Sequence, residues 1–251
     1  LKVAEMEAPV IESSSPDSFS LYVAIPFCPS RCTYCSFVSH SNDSAKKLIP
    51  QYVDKVCEEL IYTAEIAKRL SLKLESVYIG GGTPTVLTAE QLNKITDTIK
   101  ENYDFTYIKE YTIEAGRPDS TDEAKLGVMK NSGCTRISIN PQTFNDNVLN
   151  AIGRKHTSEE TENCFNLARE KGFDNINMDL IAGLPGEDLK TFVKSFNDVF
   201  SLRPHDLQLG FLKKLHGSKI SDNDGVFSEF PPYEIVKTDS MSYNDIVMLK
   251  D

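Results

Sequence analysis

Six short β-rich runs alternate with longer helical stretches along most of this chain, and this alternation restricts the fold more than any other feature. Each run is rich in β-branched or aromatic residues and ends in a polar or glycine-containing turn, as strands do. The alternation favours a parallel sheet, because parallel neighbours need a crossover connection. An open α/β barrel and a doubly wound sheet both fit it. The predicted strands are residues 21–25, 76–80, 111–115, 136–140, 175–181 and 206–212.

Helical periodicity predicts the connections between these strands. We expect helices over residues 49–70, from 89 onward, and over 121–131, 159–171 and 189–200. Thr88 is the predicted N-cap of the second helix, with Gln91 as its capping-box partner. Residues 1–20, which include "ESSSPDS", are expected to form a flexible lead-in to a core over 21–212. The less regular residues 213–251 are expected to form a C-terminal extension that closes the barrel.

The charge balance excludes several classes of partner. The chain has 251 residues, of which 40% are hydrophobic, and a formal net charge of −10. This length supports a substantial core, whereas the acidic balance argues against a nucleic-acid partner, which needs a basic footprint. Apolar runs are far shorter than the ~18 residues of a membrane span, and no secretory signal heads the chain. We therefore expect no nucleic acid, no membrane span and a cytoplasmic location.

Polar, glycine and cysteine residues follow the predicted strands at five successive positions. A cysteine loop follows the first strand and "GGGT" (80–83) the second, while Glu114 ends the third. Gln142 follows the fourth strand, and Asp179 lies near the end of the fifth. The carboxyl ends of parallel strands share one rim, where α/β folds place their chemistry. The sequence therefore predicts one site built from five loops.

The cysteine loop, "IPFCPSRCTYCSF", places Cys28, Cys32 and Cys35 within eight consecutive residues. A structural zinc site would need a fourth ligand, for which His40 is the only candidate in the loop. A redox dithiol would leave Cys28 without a role, and purely structural cysteines are expected on strands or helices. The interpretation we favour is an iron–sulfur cluster held on three of its four irons, with the fourth iron open to a small molecule.

The three other cysteines, Cys57, Cys134 and Cys164, stand alone in the sequence. Free cysteine usually behaves as a small buried hydrophobe, and we expect that role for each of them. Six cysteines are too sparse for a secreted disulfide scaffold, which agrees with a reducing compartment.

The cysteine spacing, CxxxCxxC, resembles the signature of radical S-adenosylmethionine (radical SAM) enzymes. The segments "YVAIPFCPSRCTYCSF", "GGGTPT", "IEA", "RISINPQTF", "IGRKHT" and "NMDLIAGLPGE" follow in the order of the oxygen-independent coproporphyrinogen III oxidase-like branch. "EAGRPDS" and "NPQTF" resemble its HemZ-type coproporphyrinogen dehydrogenases. The resemblance implies an α/β fold with an open, partial TIM-type barrel of six βα units. It also implies a [4Fe–4S] cluster and S-adenosylmethionine as cofactors, which together generate a 5′-deoxyadenosyl radical.

The resemblance also implies a set of cofactor-binding residues around the cluster ligands Cys28, Cys32 and Cys35. Tyr22 would lie against S-adenosylmethionine, and Tyr34 would pack beside the cluster. The other implied residues are Gly80, Gly81, Gly82, Thr83, Glu114, Gln142, Arg154 and Asp179. No catalytic residue is assigned.

Several residues in and near these motifs have a purely structural interpretation as an alternative. Glu114 would be a solvated carboxylate at a strand end, Arg154 would face water, and Asp179 would form a structural pair. Arg117, Pro118 and Asp119 would only turn the chain into a helix. His156 and His205 are expected to be structural or exposed.

The resemblance implies coproporphyrinogen III, or a related tetrapyrrole, as the substrate, with oxidative decarboxylation of its propionates. It also implies an electron donor such as flavodoxin or ferredoxin. After about Pro204 the sequence departs from this branch, and "LQLGFLKKLHGSKI" is more similar to radical SAM proteins that carry a cobalamin-binding domain. Two alternatives therefore stand: a cobalamin-associated radical SAM enzyme acting on another small molecule, and a non-enzymatic haem-trafficking protein.

Overall fold

A computed structural model, which describes residues 2–37 and 39–250, contains a parallel sheet of six strands. Its strands follow one another in chain order from β1 to β6. A doubly wound sheet would reverse its strand order near the middle, so the sequential order identifies the open, partial barrel. The predicted α/β fold is confirmed. The strands are β1 Ser18–Ile25, β2 Lys73–Gly81, β3 Glu110–Glu114, β4 Arg136–Gln142, β5 Ile176–Ala182 and β6 Asp206–Phe211.

Each crossover predicted between these strands contains a helix. Thr88 caps the helix that begins at Ala89, and Gln91 completes the predicted capping box. One helix starts two residues later than predicted, because the Asp122 side chain accepts a hydrogen bond from the Lys125 amide as its N-cap. Within the described residues no helix is long and apolar enough to cross a membrane. The helices are α1 Lys2–Glu12, α2 Asp43–Lys46, α3 Ile49–Arg69, α4 Ala89–Asn102, α5 Glu123–Asn131, α6 Asp146–Ala151, α7 Ser158–Glu170, α8 Leu189–Ser201 and α9 Tyr243–Lys250.

The two ends of the chain contain more regular structure than the sequence indicated. Helix α1 lies within the stretch expected as a flexible lead-in, and β1 begins three residues before its predicted start. In the extension, two short strands, β7 (Val226–Phe227) and β8 (Ile235–Lys237), pair antiparallel ahead of α9. The Ile235 amide donates a hydrogen bond to the Leu212 carbonyl at 2.8 Å, which fixes the extension beside the last core strand. The closing of the barrel by this extension stays a prediction.

The strands alternate between an apolar face and a polar face. Their outer face, which packs on the helices, carries buried aliphatic side chains such as Ile79, Ile113 and Ile139. The inner face carries the carboxylates Glu114 and Asp179, which line one cavity. Since successive strand residues point to opposite faces, one sequence pattern supplies both the core and a polar barrel interior.

An arginine spans the inner face at the amino-terminal end of the sheet. Arg136 lies 3.8 Å from Glu110 on one neighbouring strand and 3.2 Å from Asp206 on the other side. These ion pairs connect β3, β4 and β6 far from the rim where the strands end.

A buried carboxylate belongs to the loop that follows β5. Glu187 is 0% exposed and accepts a hydrogen bond from the Thr143 hydroxyl at 2.6 Å. Its second oxygen, Oε2, has no partner among the described residues. Burial raises the pKa of Glu187 to about 7, because the charged form is poorly solvated there.

We expect Glu187→Gln to remove part of the pH dependence of stability. The folded state holds the Glu187 proton more tightly than the unfolded state, so this group destabilises the fold progressively as pH rises from about 4.5 to about 7. The variant should match the parent near pH 4 and exceed its free energy of unfolding by about 3 kcal/mol at pH 8. Urea unfolding across this range tests it. Parallel pH profiles for the two proteins would contradict the prediction.

Candidate functional site

A cavity of about 220 Å³ opens at the rim where the core strands end. Side chains from the cysteine loop and from the loops after β2, β3 and β4 line it, together with residues on β5. The predicted convergence of five loops on one rim is therefore present in the structure. The predicted site residues that line the cavity are Cys28, Cys32, Tyr34, Cys35, Gly81, Gly82, Thr83, Glu114, Gln142, Arg154 and Asp179.

Backbone hydrogen bonds hold the cysteine loop in place at both ends. The His40 amide donates to the Pro26 carbonyl at 2.8 Å, and the Cys28 amide donates to the His40 carbonyl at 3.0 Å. Further along, the Thr33 amide donates to the Ile152 carbonyl at 3.0 Å. These bonds fold the loop back over the strand ends, with its three thiols at the cavity.

The donor set around these thiols fits an iron–sulfur cluster. The Thr83 hydroxyl donates towards the Cys28 sulfur at 3.4 Å, and the Arg117 guanidinium donates towards the Cys32 sulfur at 3.9 Å. Hydrogen bonds of this kind stabilise the thiolates that hold such clusters. Among residues 2–37 and 39–250, no three metal-ligating side chains are grouped for a single ion. The three cysteines line the same cavity, where each thiolate would hold a different iron of a cluster.

His40 does not join the three thiols. Its side chain lines a separate surface groove together with Phe27 and Tyr52. The Cys₃His zinc site considered from the sequence is therefore not assembled in this arrangement.

The glycine loop approaches the cysteine loop too closely for any side chain at Gly82. A Cβ atom there would lie 2.6 Å from the Phe27 carbonyl oxygen and 3.0 Å from the Cys28 sulfur. The Gly82 amide donates to the Ile25 carbonyl at 2.7 Å, which fixes this contact. Gly81 has a φ of +101°, a conformation that glycine adopts readily. The sequence "GGG" is thus required by space at one position and by backbone conformation at another.

Glu114 faces the cavity from the end of β3 and is not simply solvated. Its Oε1 accepts a hydrogen bond from the Tyr78 hydroxyl at 2.5 Å, and burial raises the pKa of its carboxyl group. Gly80 lies under this pair, since a Cβ there would come within 2.5 Å of the Tyr78 ring. Tyr22 stacks on Tyr78 at 5.9 Å, is 60% exposed and lies outside the cavity lining. Its contact with S-adenosylmethionine stays a prediction.

Gln142 has an unusual backbone conformation and forms a hydrogen bond with Asp179. Its φ is +69°, in the left-handed region that non-glycine residues rarely adopt. The pairing of β4 with β5 shifts register between Ile139 and Gln142, and this bulge turns the amide towards Asp179, whose Oδ2 accepts at 2.8 Å. The other oxygen, Oδ1, is screened from solvent without a partner among the described residues. Burial raises the pKa of Asp179.

Arg154 is buried, with 7% of its surface exposed, so a water-facing side chain is excluded. Its guanidinium donates to the Tyr34 hydroxyl at 3.0 Å and to the Gly116 carbonyl at 3.3 Å. A further hydrogen bond reaches the Asn140 carbonyl. Arg154 therefore joins the cysteine loop to the ends of β3 and β4, with its charge at the cavity.

Several residues that line the cavity were not assigned to the site from the sequence, among them Ser30, Arg117 and Asn140. Asn140 continues the alternation of β4 onto the inner face, a signal that would have identified it. One interpretation of the sequence was that Arg117 only helps to turn the chain, and Pro118–Ser120 does form a short 3₁₀ turn. Its contact with the cysteine loop has no local sequence signal.

The remaining cysteines and histidines occupy the positions expected of them. Cys57, Cys134 and Cys164 are buried in the core. His156 is buried as well, and neither of its ring nitrogens is hydrogen-bonded to another residue that the structure describes, whereas His205 is exposed.

Comparison with solved structures shows the same architecture in coproporphyrinogen III oxidase (HemN) from Escherichia coli, described as a radical SAM enzyme. The two superpose with a TM-score of 0.74 at 28% identity, over 92% of this chain and 51% of that one. The oxygen-independent coproporphyrinogen-III oxidase-like protein HemZ of Bacillus subtilis is 39% identical over 82% of this chain and 42% of its own length. The heme chaperone HemW of the same organism is 40% identical over 73% of this chain and 47% of its own.

The chain therefore spans about half the length of these relatives. The family model of the Radical SAM superfamily matches residues 22–199, which include every residue that lines the cavity. This match covers most of the chain and agrees with the site geometry. The chain belongs to the radical SAM superfamily, whose cofactors are a [4Fe–4S] cluster and S-adenosylmethionine.

Proposed function

We propose that this chain is the radical SAM core of an enzyme that abstracts hydrogen from coproporphyrinogen III or a related tetrapyrrole and so promotes oxidative decarboxylation of its propionates. The observation that carries the proposal is the shared cavity of the three loop thiols and the glycine loop. The relation to HemZ and HemN supports the substrate class. Flavodoxin or ferredoxin is the proposed electron donor for radical formation. Each propionate then loses a hydrogen atom to the radical, followed by CO2 and one electron, which passes to a one-electron acceptor, and a vinyl group remains.

In this proposal Cys28, Cys32 and Cys35 hold the cluster and leave one iron open. When bound, the cluster and S-adenosylmethionine together supply a 5′-deoxyadenosyl radical. The chain's own part is to bind, to orient and to exclude water. Tyr34, which is fixed by Arg154, packs beside the cluster, and Tyr22 is proposed to contact S-adenosylmethionine from the inner face of β1.

In this proposal different cavity residues contact different parts of S-adenosylmethionine. The backbone of the glycine loop receives the methionine amino group, since no Cβ intervenes at Gly82, and Thr83 lies beside it. Arg154 supplies positive charge, and Glu114 faces the cofactor from the end of β3. The unpartnered Oδ1 of Asp179 accepts from a ribose hydroxyl, as acidic residues do in other nucleotide sites.

Asp179→Asn should weaken S-adenosylmethionine binding about 10- to 100-fold, because it replaces a charged acceptor by a neutral amide. Equilibrium binding to the reconstituted protein measures this. Asp198→Asn is the matched control, since this carboxylate pairs with Lys194 on the exposed face of α8 and its replacement should leave affinity unchanged. Equal affinities for all three proteins would contradict the role given to Asp179.

Anaerobic reconstitution tests the proposed function as a whole. We expect four irons per chain, S-adenosylmethionine cleavage to 5′-deoxyadenosine under dithionite, and decarboxylation products from coproporphyrinogen III detected by mass spectrometry. A protein that binds one zinc and no cluster would overturn the radical chemistry. Cleavage without decarboxylation would overturn the substrate, and a requirement for added cobalamin would favour the cobalamin-associated alternative.

A second candidate function is haem trafficking, because the HemW heme chaperone of Bacillus subtilis is 40% identical to this chain. Haem titration of the reconstituted protein separates the two. Stoichiometric haem binding with no decarboxylation would favour the chaperone, whereas decarboxylation with no haem binding would favour the enzyme.

A further inference from the structure

Arg117 is a buried cation that lines the cavity and contacts the cysteine loop. It follows β3 and is 4% exposed. Its Nη1 lies 3.9 Å from the Cys32 sulfur and donates to the Ser30 carbonyl at 3.4 Å. Its Nη2 donates to the Ser30 hydroxyl at 3.1 Å. Three contacts therefore fix this guanidinium against the loop that carries the thiols.

Asp119 holds the other side of the same guanidinium. Its two carboxylate oxygens accept from Nε at 3.0 Å and from Nη2 at 2.9 Å, which is the bidentate geometry that arginine and carboxylate favour. His156 Nδ1 lies 3.9 Å behind Asp119. Burial, followed by the charge of Arg154, lowers the pKa of His156 to about 3, so its ring adds no charge near neutral pH. The cation beside Cys32 thus has one fixed anion on its far side.

We propose that Arg117 is a positioning residue that sets the reduction potential of the cluster, and that Asp119 limits its effect. This inference rests on the proposed function, because it requires a cluster on Cys32. The step concerned is the gain of one electron by the cluster, from dithionite in vitro or from a flavodoxin or ferredoxin. The electron makes the cluster more negative by one charge, and no bond forms or breaks.

A fixed positive charge beside a ligand sulfur stabilises the reduced cluster relative to the oxidised one. Net charge and hydrogen bonds to the sulfurs are established determinants of cluster potentials, and burial strengthens both because solvent screening is weak. Arg117 supplies both effects at Cys32. Asp119, which has the opposite sign and pairs with the same guanidinium, partly cancels this positive charge.

The test is an EPR-monitored redox titration of the reconstituted protein and its variants. At the solution potential where the parent is half reduced, Arg117→Gln should lower the ratio of reduced to oxidised cluster about tenfold, which is 59 mV for one electron. Asp119→Asn should raise that ratio, and Arg117→Lys should retain most of the parent value. Arg136→Gln is the control, since it removes the same charge from the far end of the barrel interior and should leave the ratio unchanged.

Shifts of the same sign for Arg117→Gln and Asp119→Asn would overturn the proposal, because a purely structural disturbance gives no opposed pair. Unchanged potentials in both would overturn it as well. If Arg117→Gln does not assemble a cluster, the other two variants test the proposal. A raised ratio of reduced to oxidised cluster in Asp119→Asn, together with a near-parent ratio in Arg117→Lys, supports it. If the parent protein assembles no cluster, the proposed function is refuted. If the parent cleaves S-adenosylmethionine but the variants show no shift in reduction potential, only the role of Arg117 is refuted.

Discussion

Replacing any one of Cys28, Cys32 or Cys35 with alanine is expected to abolish the iron–sulfur cluster. In the proposed site each thiolate would hold a different iron, so the loss of one would leave a second iron without a protein ligand. Iron and acid-labile sulfide per chain after anaerobic reconstitution should fall to near zero, and the EPR signal of the dithionite-reduced protein should disappear. A full cluster in the Cys32→Ala variant would contradict the site assignment.

The three solitary cysteines provide matched controls for this experiment. Cys57→Ala, Cys134→Ala and Cys164→Ala should each retain a full cluster, because these side chains are buried in the core and not at the cavity. Burial raises the pKa of Cys134 and of Cys164 to about 12, so neither readily supplies the thiolate that a metal needs. We expect each control to lose only about 1 kcal/mol of stability.

Gly82→Ala is expected to have the second-largest effect, although it adds only a methyl group. The new Cβ would lie 2.6 Å from the Phe27 carbonyl oxygen and 2.8 Å from that of Ile25, so backbone must move on one side of the cavity. That movement displaces Cys28, whose sulfur is 3.0 Å from the same position. We expect affinity for S-adenosylmethionine to fall at least tenfold, with a reduced iron content after reconstitution.

Gly127→Ala is the control for this change. Gly127 lies within α5, and a Cβ there meets no atom within 4 Å. Alanine is the better helix former by roughly 1 kcal/mol, so this variant should be slightly more stable and should bind S-adenosylmethionine normally. Parent-like affinity in the Gly82→Ala variant would show that the close contact between the two loops is not needed for binding.

Local patterns in the sequence were sufficient to predict a parallel six-stranded sheet and the rim of the site, whereas the open barrel was implied by the family resemblance. Hydrophobic runs located the six strands, and Thr88 with Gln91 located a helix start, because both signals lie within a few residues. The convergence of the loops followed from a general property of parallel sheets rather than from any contact. The resemblance to radical SAM enzymes supplied residue roles that spacing alone leaves open.

The features that escaped prediction depend on contacts between distant parts of the chain. Arg117 and Cys32 are separated by 85 positions, and the turn that "GRPDS" predicts also forms, so nothing local distinguished the two roles. The left-handed backbone at Gln142 is a consequence of a bulge between β4 and β5, which the sequence of either strand does not reveal. Helix α1 was missed because the serine-rich segment after it favoured an irregular lead-in.

Because each strand has one apolar and one polar face, substitutions on the two faces have different consequences. Ile113 and Glu114 are adjacent in the chain, yet one belongs to the apolar layer beneath the helices and the other to the cavity. A substitution at Glu114 can therefore change the chemistry of the site during evolution while Ile113 continues to stabilise the fold. In a mutational scan along β3, alternate positions should fall into two phenotypes: one of lost protein abundance, and one of normal abundance with altered activity.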